Sequence, residues 1–306
     1  MLAITEKEIS ESTNSPVFSP ILCADLSFFG IAKDLFLAEF SDSFQTMAWD
    51  YYDVKRKQFE LLKEHHFDVS FDSFRDYYQA DDQDQFSYLS SLITDQSLLS
   101  KCLAINPWRR RSVCSFEVLL KEEITLSRTQ PSAFSQDVDA DDIRSLPREF
   151  QQTVNVIADN IHFHSFIKKV AAYAQKVTPH IDITKMTITA HFMSVKARQH
   201  VPVNNSPEGA HEDGADFIVS ALVINRQNIK GAASQVLEKL PDGKMINIFE
   251  RELQEGEFLF QADTGEEKHY GNDLWHYVTP FYVDDPEKES WRDIIGLDIV
   301  INQPKT

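Results

Sequence analysis

Three side chains in the second half of the chain have the types and the order of a metal-binding triad. His211 and Asp213 are separated by a single residue, and His276 follows much later. Two imidazoles and one carboxylate can occupy one face of an iron(II) ion and leave the other face free for a cosubstrate and O2. The pattern therefore predicts a metal centre suited to oxygen chemistry.

The spacing His-x-Asp is a weak signal by itself, because the chain contains it at His66, His180 and His211. Residues i and i+2 of a β-strand point to the same side, so a strand can aim both side chains at one ion. His66 ends a segment with helical spacing, and His180 follows a proline and could lie in a turn. His211 stands directly before the strand-like run 217–224, so we predict that His211 and Asp213 bind the metal.

The third ligand has two candidates downstream. His269 lies in a polar stretch and is expected to be solvated, whereas His276 lies in the apolar segment LWHYV at 274–278. Taken alone, a histidine there is either a hydrogen-bonded core residue or a ligand. The choice between these two roles of His276 depends on a further charged residue, Arg292.

Arg292 favours a ligand at His276. It opens the predicted last strand, and an arginine at the start of an apolar strand is costly to bury without an anion. Its partner is either a nearby Asp or Glu, or a carboxylate of 2-oxoglutarate held through two parallel hydrogen bonds. The charges of iron(II), Asp213, doubly ionised 2-oxoglutarate and Arg292 sum to zero, which suits a site of low dielectric constant.

The segments around these residues predict an α+β protein. Apolar residues recur every three or four positions at 33–67, 84–103 and 150–177, which predicts helices. The run 111–120 predicts a strand, and the polar segment 127–147 an exposed loop. The second half carries many short strands between turns, as in a sandwich or barrel. The strands predicted there are 186–195, 217–224, 234–237, 258–260, 275–278 and 294–301.

Composition narrows the class of protein. The chain has 306 residues, of which 42% are hydrophobic, enough for one large domain or two modest ones. A net charge of −18 argues against nucleic acid or an anionic membrane as partner. No signal peptide is visible, and the apolar stretch 21–37 is too short and too charged to span a bilayer. Three scattered cysteines without CxxC suggest a reducing cytoplasm; they are Cys23, Cys102 and Cys114.

Four motifs stand in a fixed order along the second half of the chain. They are PEGAHEDGADF at 207–217, NRQNIKG at 225–231, WHYVTP at 275–280 and Arg292-Asp293, with RRRS at 109–112 upstream. In this order they resemble the bacterial 2-oxoglutarate/iron dioxygenases that include L-isoleucine 4-hydroxylase. The resemblance covers about 187–301 and is thin before that.

The resemblance implies both a fold and a reaction. The core would be a double-stranded β-helix, a cupin-like jelly-roll over 106–306, with a mainly helical N-terminal half, 1–105, packed on it as one cooperative unit. The reaction would hydroxylate an aliphatic C–H bond of a free L-amino acid or close derivative. Iron(II), 2-oxoglutarate and O2 would be consumed or bound, ascorbate would help, and succinate and CO2 would be released.

Carried over by position, the motifs assign roles to individual residues. His211, Asp213 and His276 would bind iron, Arg292 would bind 2-oxoglutarate, and the Thr279 hydroxyl would assist. A carboxylate at position 213, rather than Gly or Ala, favours hydroxylation over halogenation.

Three further residues would contact the substrate. Arg109 and Arg111 would meet its carboxylate, although a solvated basic turn after Pro107 explains them equally well. Glu208 would meet its amine, or serve as a plain turn residue.

The chain departs from the family pattern at one place. Where the family has Gly-Gly-x-Ser, this sequence has Gly231-Ala232-Ala233-Ser234, and a methyl group there narrows any approach of a ligand to the backbone. A different or larger substrate is therefore possible, including a carrier-bound or peptide residue. A metal-binding or ligand-sensing jelly-roll without turnover also stays open, although it has no obvious need for Arg292. The position of oxidation and the oligomeric state are left open.

Overall fold

The computed structural model describes residues 19–65, 70–79, 84–131, 146, 148–197, 201–205, 209–263 and 270–302. The predictions for His66, His269 and Glu208 concern residues outside these ranges, as does most of the predicted loop 127–147.

Helices occupy much of the chain before residue 105. They are α1 (Lys33–Phe40), α2 (Tyr52–Glu64), α3 (Phe71–Gln79), α4 (Gln85–Leu92) and α5 (Gln96–Leu103). The helical structure expected over 33–67 is present as α1 and α2 but not in the segment between them. The chain leaves α1 through a 3-10 turn and then becomes extended at Trp49, which forms a β-bridge with Arg110. Serine and aspartate at 41–43 favour this break, because their side chains compete for backbone hydrogen bonds.

Two other predicted helices are each divided by a capping side chain. Asp95 accepts hydrogen bonds from two backbone N–H groups and begins α5 as a new helix, so 84–103 is two helices rather than one. Asn160 caps in the same way and separates α6 (Asn155–Ala158) from α7 (Ile161–Val177). No helix in the described ranges is long and apolar enough to cross a membrane.

Strands make up most of the remaining described structure. They are β1 (Ile21–Asp25), β2 (Arg109–Leu119), β3 (Thr125–Thr129), β4 (Lys185–Lys196), β5 (Phe217–Gln227), β6 (Ile229–Gly231), β7 (Ser234–Lys239), β8 (Met245–Arg251), β9 (Glu257–Ala262), β10 (Leu274–Val278), β11 (Phe281–Val283) and β12 (Trp291–Ile301). Each strand predicted from the sequence is confirmed with small shifts of its ends. The sequence patterns missed β1, β6, β8 and β11, and they assigned Ser127–Thr129 of β3 to a loop. β3 and β8 are largely exposed, and β6 and β11 are only three residues long.

The strands form antiparallel sheets. Among the described residues, the main sheet has the order β1-β9-β5-β12-β4-β2-β3, a second sheet has the order β10-β7-β8, and β11 pairs with β6. The last strand, β12, therefore lies in the middle of the main sheet, between β4 and β5. β1, from the part of the chain before residue 105, closes one edge by pairing with β9.

The two faces of the main sheet differ because side chains alternate along each strand. On β12, Ile295, Leu297 and Ile299 belong to the large apolar core that includes residues of α1 and α7. Arg292, Ile294 and Asp298 have the opposite parity. Ile294 packs there with apolar residues of β5 and β9 and of the second sheet; they are Ala221, Val223, Val236, Leu259 and Leu274. We call this side, which faces the second sheet, the inner face.

Candidate active site

The three residues predicted to bind metal lie together in the structure. His211 and His276 form an antiparallel β-bridge, with N–H to carbonyl distances of 3.1 and 3.0 Å in the two directions. The carboxylate oxygens of Asp213 lie 3.7 Å from His211 Nε2 and 3.3 Å from His276 Nε2. One ligand atom from each residue lies within 4.8 Å of the other two. The main-chain pairing thus brings together side chains that are far apart in sequence.

The electrostatics of the triad suit a cation. His211 Nδ1 lies 2.9 Å from the Gly209 carbonyl oxygen, so Nδ1 carries the proton and Nε2 keeps its lone pair for a metal. Burial acts to raise the pKa of the Asp213 carboxyl, but the neighbouring His276 and His211 outweigh it and hold that pKa below its usual value. An ionised carboxylate between two imidazoles is the donor set that iron(II) requires.

Asp263 supports the segment that carries two of these ligands. One of its carboxylate oxygens accepts the backbone N–H groups of Asp213 at 2.9 Å and Ala215 at 3.1 Å. Its own N–H donates to the Asp216 carbonyl oxygen at 3.0 Å. Burial raises the pKa of Asp263 to about 7. No local pattern marks this residue, because it lies fifty positions after Asp213 in the segment that it supports.

Arg292 lies on the inner face without a hydrogen-bonded anion among the described residues, although the charge of the adjacent Asp293 acts in its favour. Its side chain is 0% exposed, and Nε, Nη1 and Nη2 have no hydrogen-bond partner among the described residues. Burial, together with the neighbouring Arg226, lowers its pKa to about 9, so the guanidinium is still charged at neutral pH. A buried cation with three unpaired donor atoms fits a carboxylate ligand. Arg292 makes no hydrogen bond or ion pair with the described triad.

Thr279 directly follows β10, the strand that carries His276. Its Oγ1 accepts the N–H of Ala233 at 2.9 Å, and its own N–H donates to the Ala233 carbonyl oxygen at 2.9 Å. The hydroxyl proton remains available for donation. Thr279 also fixes the segment in which the sequence departs from Gly-Gly, where the buried Ala232 adopts a positive φ of 57°.

Arg109 and Arg111 lie in strand β2, so the interpretation as a solvated basic turn is wrong. Arg109 is buried, with Nε 3.3 Å from an oxygen of Asp53. Its Nη2 donates to the carbonyl oxygens of Asn204 and Asn205 at 3.2 and 3.3 Å. These contacts occupy Arg109 within the protein.

The Arg111 side chain makes fewer polar contacts with the described residues than the Arg109 side chain does. Its guanidinium lies over the Phe150 ring, 4.0 Å from the ring centroid, and its Nη2 is 3.2 Å from His191 Nδ1. His191 and its other partner, Asp298, were not singled out from the sequence. The signal was present for Asp298, which follows Arg292 by six positions and so has the parity of the inner face.

Comparison with known families agrees with this geometry. The family model for 2OG-Fe dioxygenases matches residues 87–298, a range that contains the triad and Arg292. The chain belongs to this family. It is an oxygenase that uses iron(II), 2-oxoglutarate and O2, and its antiparallel sheets form the jelly-roll of the family.

Solved structures of similar proteins extend over most of the chain. A BsmA homologue from Methylobium petroleophilum PM1 aligns with a TM-score of 0.59 and 16% identity, covering 92% of this chain and 87% of that one. IDO from Bacillus thuringiensis aligns with a TM-score of 0.49 and 16% identity, covering 89% and 100%. The Fe(II)/α-ketoglutarate-dependent dioxygenase TqaL aligns with a TM-score of 0.44 and 14% identity, covering 83% and 91%. The first likeness shows a shared fold. No curated protein sequence matches the chain.

Proposed function

We propose that this dioxygenase hydroxylates an aliphatic C–H bond of a free L-amino acid or a close derivative. The observation that carries the proposal is the presence in one jelly-roll of the clustered His211, Asp213 and His276 donors and of a fully buried Arg292 without a hydrogen-bond partner among the described residues. The order of the four sequence motifs, which resembles that of amino acid hydroxylases, supports the substrate class. The apolar side chains between the two sheets form a hydrophobic environment that suits an aliphatic substrate chain.

The metal ligands in this proposal are His211, Asp213 and His276. Their donor set leaves part of the coordination sphere open, as an oxygen-activating site requires. Iron(II), when bound, supplies the activation of O2 that couples the oxidation of 2-oxoglutarate to succinate and CO2 with conversion of a substrate C–H to C–OH. One oxygen atom goes to succinate and the other to the product, so atoms and electrons balance.

The cosubstrate is oriented by Arg292 and Thr279. The guanidinium offers parallel N–H donors to the carboxylate of 2-oxoglutarate that lies farther from the metal, and the Thr279 hydroxyl can donate to the same carboxylate. Since Arg292 is fully buried, this contact is shielded from water and binds strongly. The apolar residues of the inner face keep water from the reacting groups.

The experiment that tests the proposal is a substrate screen with the full chain. Iron(II), 2-oxoglutarate, ascorbate and O2 are supplied with a panel of free L-amino acids, and succinate release and a product mass gain of one oxygen atom are measured. The same residues in peptide form test whether a free amino acid is required. We expect His211→Ala to abolish both signals and to weaken iron binding. Succinate release with no oxidised amino acid in the panel contradicts the proposed substrate class.

A further inference from the structure

A β-bulge in β5 turns the side chain of Arg226 towards Arg292. Leu222 and Ile224 belong to the large apolar core on the side of the main sheet opposite the inner face, and strict alternation along β5 would send Arg226 there as well. The register with β12 skips Ile224, so that Arg226 lies directly opposite Arg292. Side chains of directly opposed residues share one side of a sheet, so Arg226 belongs to the inner face. Bulges beside active sites commonly redirect a side chain in this way.

The Arg226 guanidinium is fixed through one of its nitrogens. Nη2 donates to the Gly231 carbonyl oxygen at 2.8 Å and to a carboxylate oxygen of Glu252 at 3.1 Å. The side chain is only 8% exposed, and its Nη1 is buried without a hydrogen-bond partner among the described residues. A buried donor that stays unpaired is costly, so such a group calls for a ligand. Arg226 therefore keeps a free donor in a guanidinium that is already oriented, which suits a carboxylate.

Arg226 and Arg292 are two buried cations on neighbouring strands, and the nearby anions compensate them only in part. Like charges directly opposite each other destabilise a sheet, and burial and then the charge of Arg226 lower the pKa of Arg292. The carboxylate of Asp293 accepts a side-chain N–H of Asn225 at 3.0 Å, and Glu252 is half exposed. A carboxylate bound by both guanidinium groups would replace their mutual repulsion with two attractions.

We propose that Arg226 is a second positioning residue for the cosubstrate, and that its Nη1 donates a hydrogen bond to the same carboxylate of 2-oxoglutarate that Arg292 binds. The inference rests on the role proposed for Arg292. A carboxylate has two oxygens with about four lone-pair sites, enough to accept donors from both arginines. Glu252 balances the additional positive charge, so the charges of iron(II), Asp213, doubly ionised 2-oxoglutarate and these three side chains again sum to zero.

Two arginines on one carboxylate make the site selective among 2-oxo acids. The 2-oxo acid end of 2-oxoglutarate is common to many monocarboxylic metabolites, so it does not identify the cosubstrate. Arg226 and Arg292 recognise the other end, and both keep unpaired buried donors when an acid without that carboxylate is bound. A site built to hydrogen-bond a particular group strongly rejects analogues that lack the group.

The test is an anaerobic titration of the full chain, loaded with iron(II), with two ligands. One is 2-oxoglutarate, and the other is 2-oxopentanoate, which has the same 2-oxo acid end but a methyl group in place of the second carboxylate. Binding of either is followed by the visible charge-transfer band. Arg226→Gln should raise Kd for 2-oxoglutarate by about ten- to a hundredfold, because a hydrogen bond to a charged group is lost, and should leave Kd for 2-oxopentanoate nearly unchanged.

Two control variants separate this role from a structural one. Glu252→Gln removes the anion beside Arg226 but keeps the guanidinium, so it should not raise Kd for 2-oxoglutarate. Arg128→Gln is the matched control, because the Arg128 guanidinium also donates to a backbone carbonyl oxygen and a side-chain oxygen; these belong to Thr153 and Asn155, both at 2.7 Å. It should leave Kd for both ligands unchanged.

The outcomes separate this inference from the proposed function. If Arg226→Gln changes Kd for the two ligands equally, or changes neither, Arg226 does not bind the carboxylate and the inference is wrong, while the role of Arg292 stands. If Arg292→Met also leaves the affinity for 2-oxoglutarate unchanged, both are wrong. Should Arg226→Gln fail to fold, Arg226→Lys keeps the charge but not the fixed pair of donors, and it should still weaken 2-oxoglutarate more than 2-oxopentanoate. The titration needs no amino acid, so its result is independent of the substrate screen.

Discussion

Replacing Arg292 by methionine should move two properties of the protein in opposite directions. Without cosubstrate, the guanidinium is fully buried and has no hydrogen-bond partner among the described residues, so methionine removes a buried charge that Asp293 offsets only in part. Burial and Arg226 lower the pKa of Arg292 from 12.5 to about 9, a change that corresponds to roughly 5 kcal/mol. We expect methionine to recover part of this, about 1–4 kcal/mol, so the metal-free variant should unfold at a higher urea concentration.

The same substitution should weaken binding of 2-oxoglutarate. Removing one partner of a buried charge pair costs about 3–5 kcal/mol, which raises Kd by roughly 150- to 5,000-fold. Arg292→Lys should fall between the natural protein and Arg292→Met, because an ammonium group cannot make the two parallel hydrogen bonds of a guanidinium. The measurement is an anaerobic titration of the iron(II) protein with 2-oxoglutarate, followed by its visible charge-transfer band.

Arg251→Met is the matched control, because Arg251 is an exposed arginine at the end of β8 that pairs with Glu257 of β9. This control should leave Kd for 2-oxoglutarate unchanged and should not increase the free energy of unfolding. The reasoning is refuted if Arg292→Met binds 2-oxoglutarate within a few-fold of the natural protein. A metal-free Arg292→Met protein that is less stable than the natural one would show that Arg292 is already neutralised within the chain, which contradicts the same argument.

Three further predictions follow from other features. Asp263→Ala should weaken iron(II) binding by about ten- to a hundredfold, because two backbone N–H groups of the ligand segment lose their acceptor; a competition titration with a metal-binding dye checks this, and unchanged affinity would contradict it. Gly231→Ala should destabilise the fold by about 2 kcal/mol or more, since a Cβ would lie 2.6 Å from the Pro280 carbonyl oxygen at a φ of +91°; a lower Tm is expected. Burial raises the pKa of the Cys114 thiol to about 12, so at pH 8 only about one in ten thousand molecules carries the reactive thiolate. Cys114 should resist alkylation until urea unfolds the protein, whereas fast labelling in the native state would contradict its burial.

Much of the candidate site could be predicted because its residues lie beside regular strands. The apolar runs after His211 and around His276 signalled strands, and Arg292 was expected at the start of the last strand. Asp263 could not be found in this way. Its role depends on hydrogen bonds from the backbone N–H groups of Asp213 and Ala215, and no local pattern records such long-range contacts.

The helices before residue 105 show where prediction from apolar spacing fails. Apolar residues recur at helical spacing in stretches across 33–67, yet helix is interrupted where Trp49 pairs with Arg110 and where Asp50 accepts the N–H of Tyr52. Here a tertiary contact overrides local helical preference. The predicted fold class survives this error, because the strands of the second half and their sheets do not depend on it.

The central position of β12 has a consequence for how the protein is made. During synthesis the chain emerges from its N-terminus, so β4, β5 and β9 are available well before residues 291–301 leave the ribosome. Until then, β4 and β5 lack the strand that joins them, and each presents unpaired backbone groups along one edge. Arrival of β12 joins the two halves and delivers Arg292 to the interior in the same event. The cosubstrate site and the finished sheet should therefore appear together, late in folding, and no nascent form with the site alone is expected.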